Sequence, residues 1–424
     1  MNIVILSHYF PPEIGAPQAR LSEMARAWVA AGHDVSVITC FPNHPTGVVP
    51  PEYADRHKKM RRFDEVRDGV DVHRCWSYAT PNRGFLKKIL GHLSFMVTSV
   101  VQAHACVKGT HAIIVSSPTF FSVLSAWFLS RVYRVPYVFE VRDLWPAIFV
   151  ELGVLKNRVL IAILESVELF LYKRSAAVVA VTSRFRDAII QRGVRAEKVH
   201  VITNGVDLDR FYPRQKDEEL LDELEVRGKF IALYIGAHGI SHALARIVDA
   251  AELTADREDI LFLFVGEGAE KEKVREHARR KNLTNCRFLP GRPKDQVTRL
   301  YSIMDVGLVP LRNIALFDTF IPSKMFEIMG MAKPIVASVR GEAADILHSS
   351  GGALVNAPED AEAIAANVLK LYQDEPLRKR LGESGRAFAA KHYCRKLLAD
   401  TYIQIIASHC RTTNDHDHAT VPAS

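Results

Sequence analysis

The chain is poor in the features that mark several protein classes. Its six cysteines, at positions 40, 75, 106, 286, 394 and 410, are scattered through 424 residues. No CxxC pair occurs, so neither a zinc site nor a redox motif has support, and scattered thiols fit a reducing cytosol. Uninterrupted apolar runs stop short of the length of about 18 residues that a spanning helix needs. The opening MNIVILSHYFPP lacks the basic start and cleavage site of a secretory signal. Zinc spacings, RNA-binding signatures and aromatic–basic strand patterns are missing, which argues against nucleic acid as a partner. A strong excess of one charge is missing too: 55 Lys and Arg stand against 48 Asp and Glu, for a net charge of +7. That balance favours a negatively charged partner slightly and excludes little.

The chain does contain a globular mixture, 48% apolar and 24% charged, long enough for two or three domains. Short β-branched stretches alternate with helical patterns. Strands are predicted at 2–7, 34–39, 70–75, 112–117, 137–141 and 177–182, and then at 230–235, 260–265, 286–289, 306–310, 334–338 and 352–355. Strands separated by helix-length segments imply βαβ units and parallel sheets. Leu21, Met24, Ala25 and Trp28, and again Leu244, Ile247, Val248 and Ala251, recur at helical spacing. Two series of about six strands predict two doubly wound domains. The break falls in 203–225, where Asn204-Gly205 signals a turn and Pro213 stops regular structure. The polar stretch 411–424 reads as a disordered tail.

In open parallel sheets, ligands bind beyond the carboxyl ends of strands. The turn after the first strand, SHYFPPEIGAPQARL, offers Gly15 and Ala16 before a helix, where a ligand can approach the backbone. An ordinary strand-to-helix turn reads the same way. In FEVRDLWPAIF, Glu140, Arg142, Asp143 and Trp145 crowd one strand end. A carboxylate there can accept a proton or bind a hydroxyl, or the charges can simply pair and fix the loop. FVGEGAEKEKV runs from a strand through Gly266, Glu267 and Gly268 into a helix, without the third glycine of the dinucleotide fingerprint.

The most pointed stretch is DTFIPSKMFEIMGMAKPIVAS (318–338). Pro322 suits a first helical turn. Ser323 can cap it or offer an amide. Met325, Ile328, Met329 and Ala332 form the expected buried stripe, with Lys324 and Glu327 on its flank. A lysine is a poor choice at the positive end of a helix unless it meets an anion. A diphosphate would reconcile the pattern, and Glu327 could hold ribose hydroxyls. The alternative is an exposed lysine beside a glutamate that complements the helix dipole.

TNGVDLDRF, FVGEGAEKEKV, CRFLPGRPKDQVTRLYSIMDVGLVPL and PSKMFEIMGMAKPIVAS, together with the N-terminal HYFPPEIGAPQARLSEMARAWVAAGHDVSVIT, occur in the order seen in family 4 retaining glycosyltransferases. The resemblance covers about residues 1–405. EVRDLWP, the His238-Gly239 pair and PSKMFE look most like bacterial surface-polysaccharide transferases of the N-acetyl-L-fucosamine type. The resemblance implies the α/β GT-B fold: two Rossmann-like doubly wound domains facing an interdomain cleft. It implies an acceptor-binding domain at 1–203, a nucleotide-sugar-binding domain at 204–390, and a helix at 391–410 returning to the first domain.

By the same resemblance, Asp143, Lys324 and Glu327 carry catalysis, and Arg142 and Trp145 meet the acceptor. Donor contacts fall to Gly15, Gly236, His238 and Gly239, to Gly266, Glu267 and Leu289, and to Arg312, Thr319, Pro322 and Ser323. The first glutamate of the family's paired signature is replaced by Thr319, with Asp318 one position early. The Arg and Lys that many members carry after the first C-terminal-domain strand give way to GAHGISHALAR, with only Arg246 on the helix. Lys324 and Arg312 are the candidates to supply that charge.

The implied reaction needs no metal or other cofactor beyond a nucleotide-sugar donor, a UDP-sugar by resemblance. The partners are that donor and a lipid-linked or glycan acceptor, in the cytoplasm or on the inner face of the membrane. Residues 82–107, basic and then apolar at helical spacing, fit either a bilayer surface or a buried domain helix. A nucleotide-sugar epimerase and a non-catalytic nucleotide-sugar-binding partner are the competing readings.

Overall fold

The structure is a computed structural model that describes residues 1–13, 15–44, 46–81, 85–117, 120–151 and 155–410. The tail expected at 411–424 lies outside the described residues. The chain divides into two units, Met1–Thr203 with the chain from Lys396, and Asn204–Arg395.

The first unit runs β1 (Asn2–Leu6), α1 (Ala16–Ala30), β2 (Asp34–Cys40), α2 (Pro51–Lys59), β3 (Arg62–Arg67), β4 (Val70–Cys75), α3 (Phe85–Ala103) and β5 (Ala112–Ser116). It continues with α4 (Phe120–Tyr133), β6 (Tyr137–Val141), α5 (Ala147–Glu151), α6 (Arg158–Arg174), β7 (Ala177–Ala180), α7 (Ser183–Gln191) and β8 (Val199–Val201). Its sheet has the order β3-β4-β2-β1-β5-β6-β7-β8, parallel apart from the β3–β4 hairpin. The spacing-based helix at 16–30 buries Leu21, Met24, Ala25 and Trp28 as expected. Trp28 also donates its indole N–H to Ala399 O at 3.0 Å.

The expectation of six strands here is corrected to eight. RFDEVR reads as polar because it is a charged edge strand, a composition that discourages edge-to-edge pairing. Its turn is Asp68-Gly69, both residues at positive φ, the signature of a tight hairpin. The three-residue β8 is too short to show a period.

The second unit runs α8 (Glu218–Glu223), β9 (Phe230–Ile235), α9 (Leu244–Glu252), β10 (Ile260–Val265), α10 (Lys271–Arg280), β11 (Cys286–Leu289), α11 (Lys294–Ile303) and β12 (Val306–Pro310). Then come α12 (Lys324–Gly330), β13 (Ile335–Ser338), α13 (Glu342–Ser350), β14 (Ala353–Asn356), α14 (Ala361–Gln373) and α15 (Glu375–His392). The last helix of the chain, α16 (Arg395–His409), belongs to the first unit from Lys396 onward.

The parallel sheet order β11-β10-β9-β12-β13-β14 is the doubly wound order, which reverses between β9 and β12. Along β9, Ile231 and Leu233 enter the core on one face while Phe230, Ala232 and Tyr234 enter the other. Both faces are therefore covered, which is why the strand reads as a continuous apolar run.

Candidate active site

The crevice at the β9/β12 reversal is where an open α/β sheet binds ligands. In this unit it is built from three turns: 236–239 after β9, 266–270 after β10, and 311–323 after β12. Gly236, Gly266 and Gly268 have φ near +150°. A Cβ on Gly266 would lie 1.9 Å from Gly236 O, and one on Gly268 would lie 2.4 Å from His238 O. Only glycine lets these two backbones touch. His238 N then donates to Glu267 O at 2.9 Å, and Glu270 N donates to His238 O at 2.9 Å. The two glycine-rich turns thus form one hydrogen-bonded block.

Against that block lies the start of α12. Lys324 Nζ sits 3.7 Å from the centroid of the Tyr234 ring and 2.8 Å from where a Cβ on Gly236 would be. It has no accessible surface and no hydrogen-bond partner. Burial is the cause that pulls its pKa down to about 7, opposed by the nearby Glu327 carboxylate. A ring face attracts the ammonium, yet an amine without an acceptor is costly to bury. Tyr301, fully buried, donates its hydroxyl to Glu327 Oε2 at 2.9 Å and fixes that carboxylate one helical turn from the lysine.

Two histidines complete the surround. His238 is 0% exposed, its ring packed edge-to-face on Tyr234 at 5.7 Å. Burial first, then Lys271 and Lys324, hold its pKa down at about 4. His242 is pushed to about 3 by burial and by Lys324. Both are neutral imidazoles at neutral pH, so Lys324 is the basic group at the centre of this cluster that a bound anion can hold charged. Lys271 is engaged elsewhere, with Glu267 Oε1 at 2.9 Å and Leu289 O at 3.1 Å.

The residues expected from sequence fall into groups. Gly236, His238, Gly266, Glu267 and Lys324 are brought together, and Leu289 joins through its carbonyl, which accepts from Gly266 N at 3.4 Å. Its side chain lines a cavity of about 230 Å³ with Leu220, Arg292 and Leu300. Gly239 caps the short turn Ile240–His242. Arg312 N reaches Ser241 O at 2.8 Å, but its guanidinium pairs with Glu359 at 3.5 Å. Arg246 pairs with Asp249 at 3.0 Å. Thr319 donates to Leu316 O within its own turn at 2.7 Å, and Asp318 accepts from Arg340 at 2.5 Å.

Pro322 O accepts from Met325 N at 3.1 Å, and Ser323 sits at the N-cap without a side-chain cap bond. Ala332 does not extend the buried stripe, because the helix ends at Gly330 and Ala332 turns to φ +53°. Phe326, 0% exposed, takes a place in it.

Gly15, Arg142, Asp143 and Trp145 belong to the first unit. Gly15 caps α1, where a Cβ would meet the Gln18 side chain at 2.4 Å. Asp143 has a pKa raised by burial and restrained by Arg142. Trp145 stacks on Phe120 at 5.4 Å, and its backbone N–H donates to Glu168 Oε1 at 3.2 Å. Glu140, crowded with these in sequence, is committed to structure: it is buried and paired with Arg20 at 3.0 Å. Among the described residues no group of three or more His, Cys, Asp or Glu is placed to hold a metal ion.

Sequence reasoning missed Tyr234, Tyr301 and His242. Tyr234 and Tyr301 sit on apolar faces and read as core. His242 carries no spacing signal.

The family model described as "Glycosyl transferase 4-like domain" matches residues 15–205, and that described as "Glycosyl transferases group 1" matches 215–388. A protein of Escherichia coli (strain K12) named for colanic acid biosynthesis, the glycosyl transferase WcaI, is 26% identical over 378 residues, 87% of this chain and 91% of that protein. A Pseudomonas aeruginosa protein named as the glycosyltransferase WbjE is 27% identical over 54% of this chain and 58% of its own length. Among solved structures, sucrose-phosphate synthase from Thermosynechococcus elongatus superposes with TM-score 0.73 at 19% identity, covering 96% of this chain and 99% of that one. Anabaena HepE in complex with UDP and glucose gives 0.72 at 18%, covering 96% and 99%.

Proposed function

The chain belongs to the family 4 glycosyltransferases of GT-B fold, and on that premise we propose that it transfers a sugar, with retention, from a UDP-sugar to a lipid-linked or glycan acceptor in bacterial surface-polysaccharide assembly. The observation that carries this reading is Lys324, a buried amine held over a tyrosine face without an acceptor. A donor diphosphate supplies the missing anion. The glycine turns 236–239 and 266–268, locked onto each other, hold the Lys324 amine at the crevice where the nucleotide would enter. Glu327, steadied by Tyr301, takes the ribose hydroxyls. The names of relatives support the setting: one is named for colanic acid and another for amylovoran biosynthesis. HepE with UDP-glucose supports the choice of UDP. The EVRDLWP and PSKMFE stretches favour an N-acetylated deoxy sugar.

In the reaction, the bond from the anomeric carbon to the β-phosphate oxygen breaks, and the electron pair leaves on UDP. The Lys324 ammonium stabilises the charge that grows there. The acceptor oxygen bonds to the same face of the sugar, and its proton passes to the leaving phosphate. Asp143 orients the acceptor, with Arg142 and Trp145 beside it. Removing one donor aimed at developing charge typically costs about 2.7–4 kcal/mol.

Thermal unfolding with UDP, GDP, ADP and CDP tests the donor class. A ligand at 100 times its dissociation constant adds about 2.7 kcal/mol of stability. UDP is expected to raise the transition most, and Glu327→Ala to cut its stabilisation to about half. Equal shifts from all four, or none, would contradict the assignment.

A further inference from the structure

Half of the exposed large hydrophobic side chains among the described residues, nine of eighteen, lie on just three helices: α3, α4 and α6. The three are neighbours on one face of the first sheet. Their strand connections β4→β5, β5→β6 and β6→β7 all step the same way along it, and right-handed crossovers therefore place them on the same side. Trp127 of α4 and Phe170 of α6 meet edge-to-face at 5.5 Å, joining two of them.

On α3, Leu90, Val97 and Val101 are 53, 53 and 65% exposed, and at 100° per residue they form one stripe. On α6, Val159, Ile163 and Phe170 do the same, at 70, 54 and 39% exposed. Phe128 and Val132 of α4 lie between, one turn apart. Isolated exposed hydrophobics are ordinary, but stripes on adjacent helices mark an interaction surface. Lys87–Val107 is long and apolar enough to cross a membrane by length and composition, with 17% of its apolar window buried. Its inner side is nonetheless fastened to the domain. Phe95, Ser99 and Ala103 are fully buried, Thr98 donates to Trp76 O at 2.6 Å, and Ser125 donates to Met96 O at 2.7 Å. The helix is a wall of the fold that presents its outer stripe.

Exposed cations flank the stripes: Lys87 on α3, Arg131 and Arg134 at the end of α4, Lys156 and Arg158 at the start of α6. An apolar face rimmed with cations matches the interface of an anionic bilayer, where side chains enter the acyl boundary and cations meet headgroup phosphates. We propose that the α3–α4–α6 face docks the enzyme on the surface of an anionic membrane. The inference deepens the proposed function, since it brings the first unit to where a lipid-linked acceptor lies, but its test does not depend on catalysis.

The full chain is floated with vesicles of phosphatidylcholine alone and of phosphatidylcholine with phosphatidylglycerol. The wild type is expected to float with the anionic vesicles and to be released by salt. Lys87→Glu/Arg131→Glu, at two exposed positions, and Val97→Glu/Ile163→Glu, on the stripes, are each expected to lower partitioning by about tenfold or more. Both should retain the melting temperature and the UDP-induced shift of the wild type. A wild type that floats with neither vesicle or equally with both overturns the proposal. Undiminished binding of the charge-reversal variant does so as well, whatever the folding of the stripe variant. So does a wild-type dimer that Val97→Glu/Ile163→Glu converts to monomer, since the face would then join two copies of the chain.

Discussion

Lys324 has an ordinary amine pKa of 10.5 in the unfolded chain and about 7 when folded. Between those values the unfolded chain holds more protons, so stability rises with pH across that window. Below pH 7 the whole penalty of the buried charge is present. Lys324→Met is therefore expected to be more stable than the wild type at pH 6, by about 1 kcal/mol or more, and to lose the rise above pH 7. Equal stability curves from denaturant titrations would show that the amine is not desolvated. Glu327→Ala acts on another part of the donor: affinity for UDP and for uridine should fall together, by about tenfold, because the lost contact is to ribose. Calorimetry that found only UDP weakened would reassign the carboxylate. The lysine and glutamate were legible because a cation at a helix start conflicts with the dipole. The tyrosines that hold them were not, since a buried aromatic in a strand or helix looks like core until its hydroxyl finds a partner.

The strands beneath the donor turns are held by hydrophobic packing, but the turns themselves depend on glycines. Gly266→Ala would drive a methyl into the Gly236 carbonyl at a φ that alanine rarely adopts. We expect a loss of about 2–3 kcal/mol in stability and of UDP binding, measured by denaturant unfolding and calorimetry. Wild-type values for both would mean that the two turns are not locked as described. The strands that bear these turns, β9, β10 and β12, were readable as apolar runs bounded by glycine or proline. The β3 hairpin was not, because a charged edge strand lacks the apolar alternation by which strands are found. The end of α12 was misplaced because Ala332 continues the helical spacing after the backbone has turned away.

At the scale of the whole molecule, alternating strands and helices made two doubly wound sheets legible without coordinates, and the ordered motifs made the family legible. Charge pairing was hidden. Nothing in GAHGISHALAR, PLRNI or DTFIP tells that Arg246, Arg312 and Asp318 would be taken by Asp249, Glu359 and Arg340, which leaves Lys324 as the central basic group of the donor turns. That consequence is open to calorimetry of UDP and of uridine, which lacks the diphosphate, on the wild type and on Lys324→Ala. The wild type should prefer UDP strongly, with proton uptake near pH 8 as the bound anion restores the lysine's charge. In Lys324→Ala the preference and the proton uptake should both collapse while uridine binding persists. A variant that kept the wild-type preference for UDP would contradict the assignment of Lys324 to the leaving group.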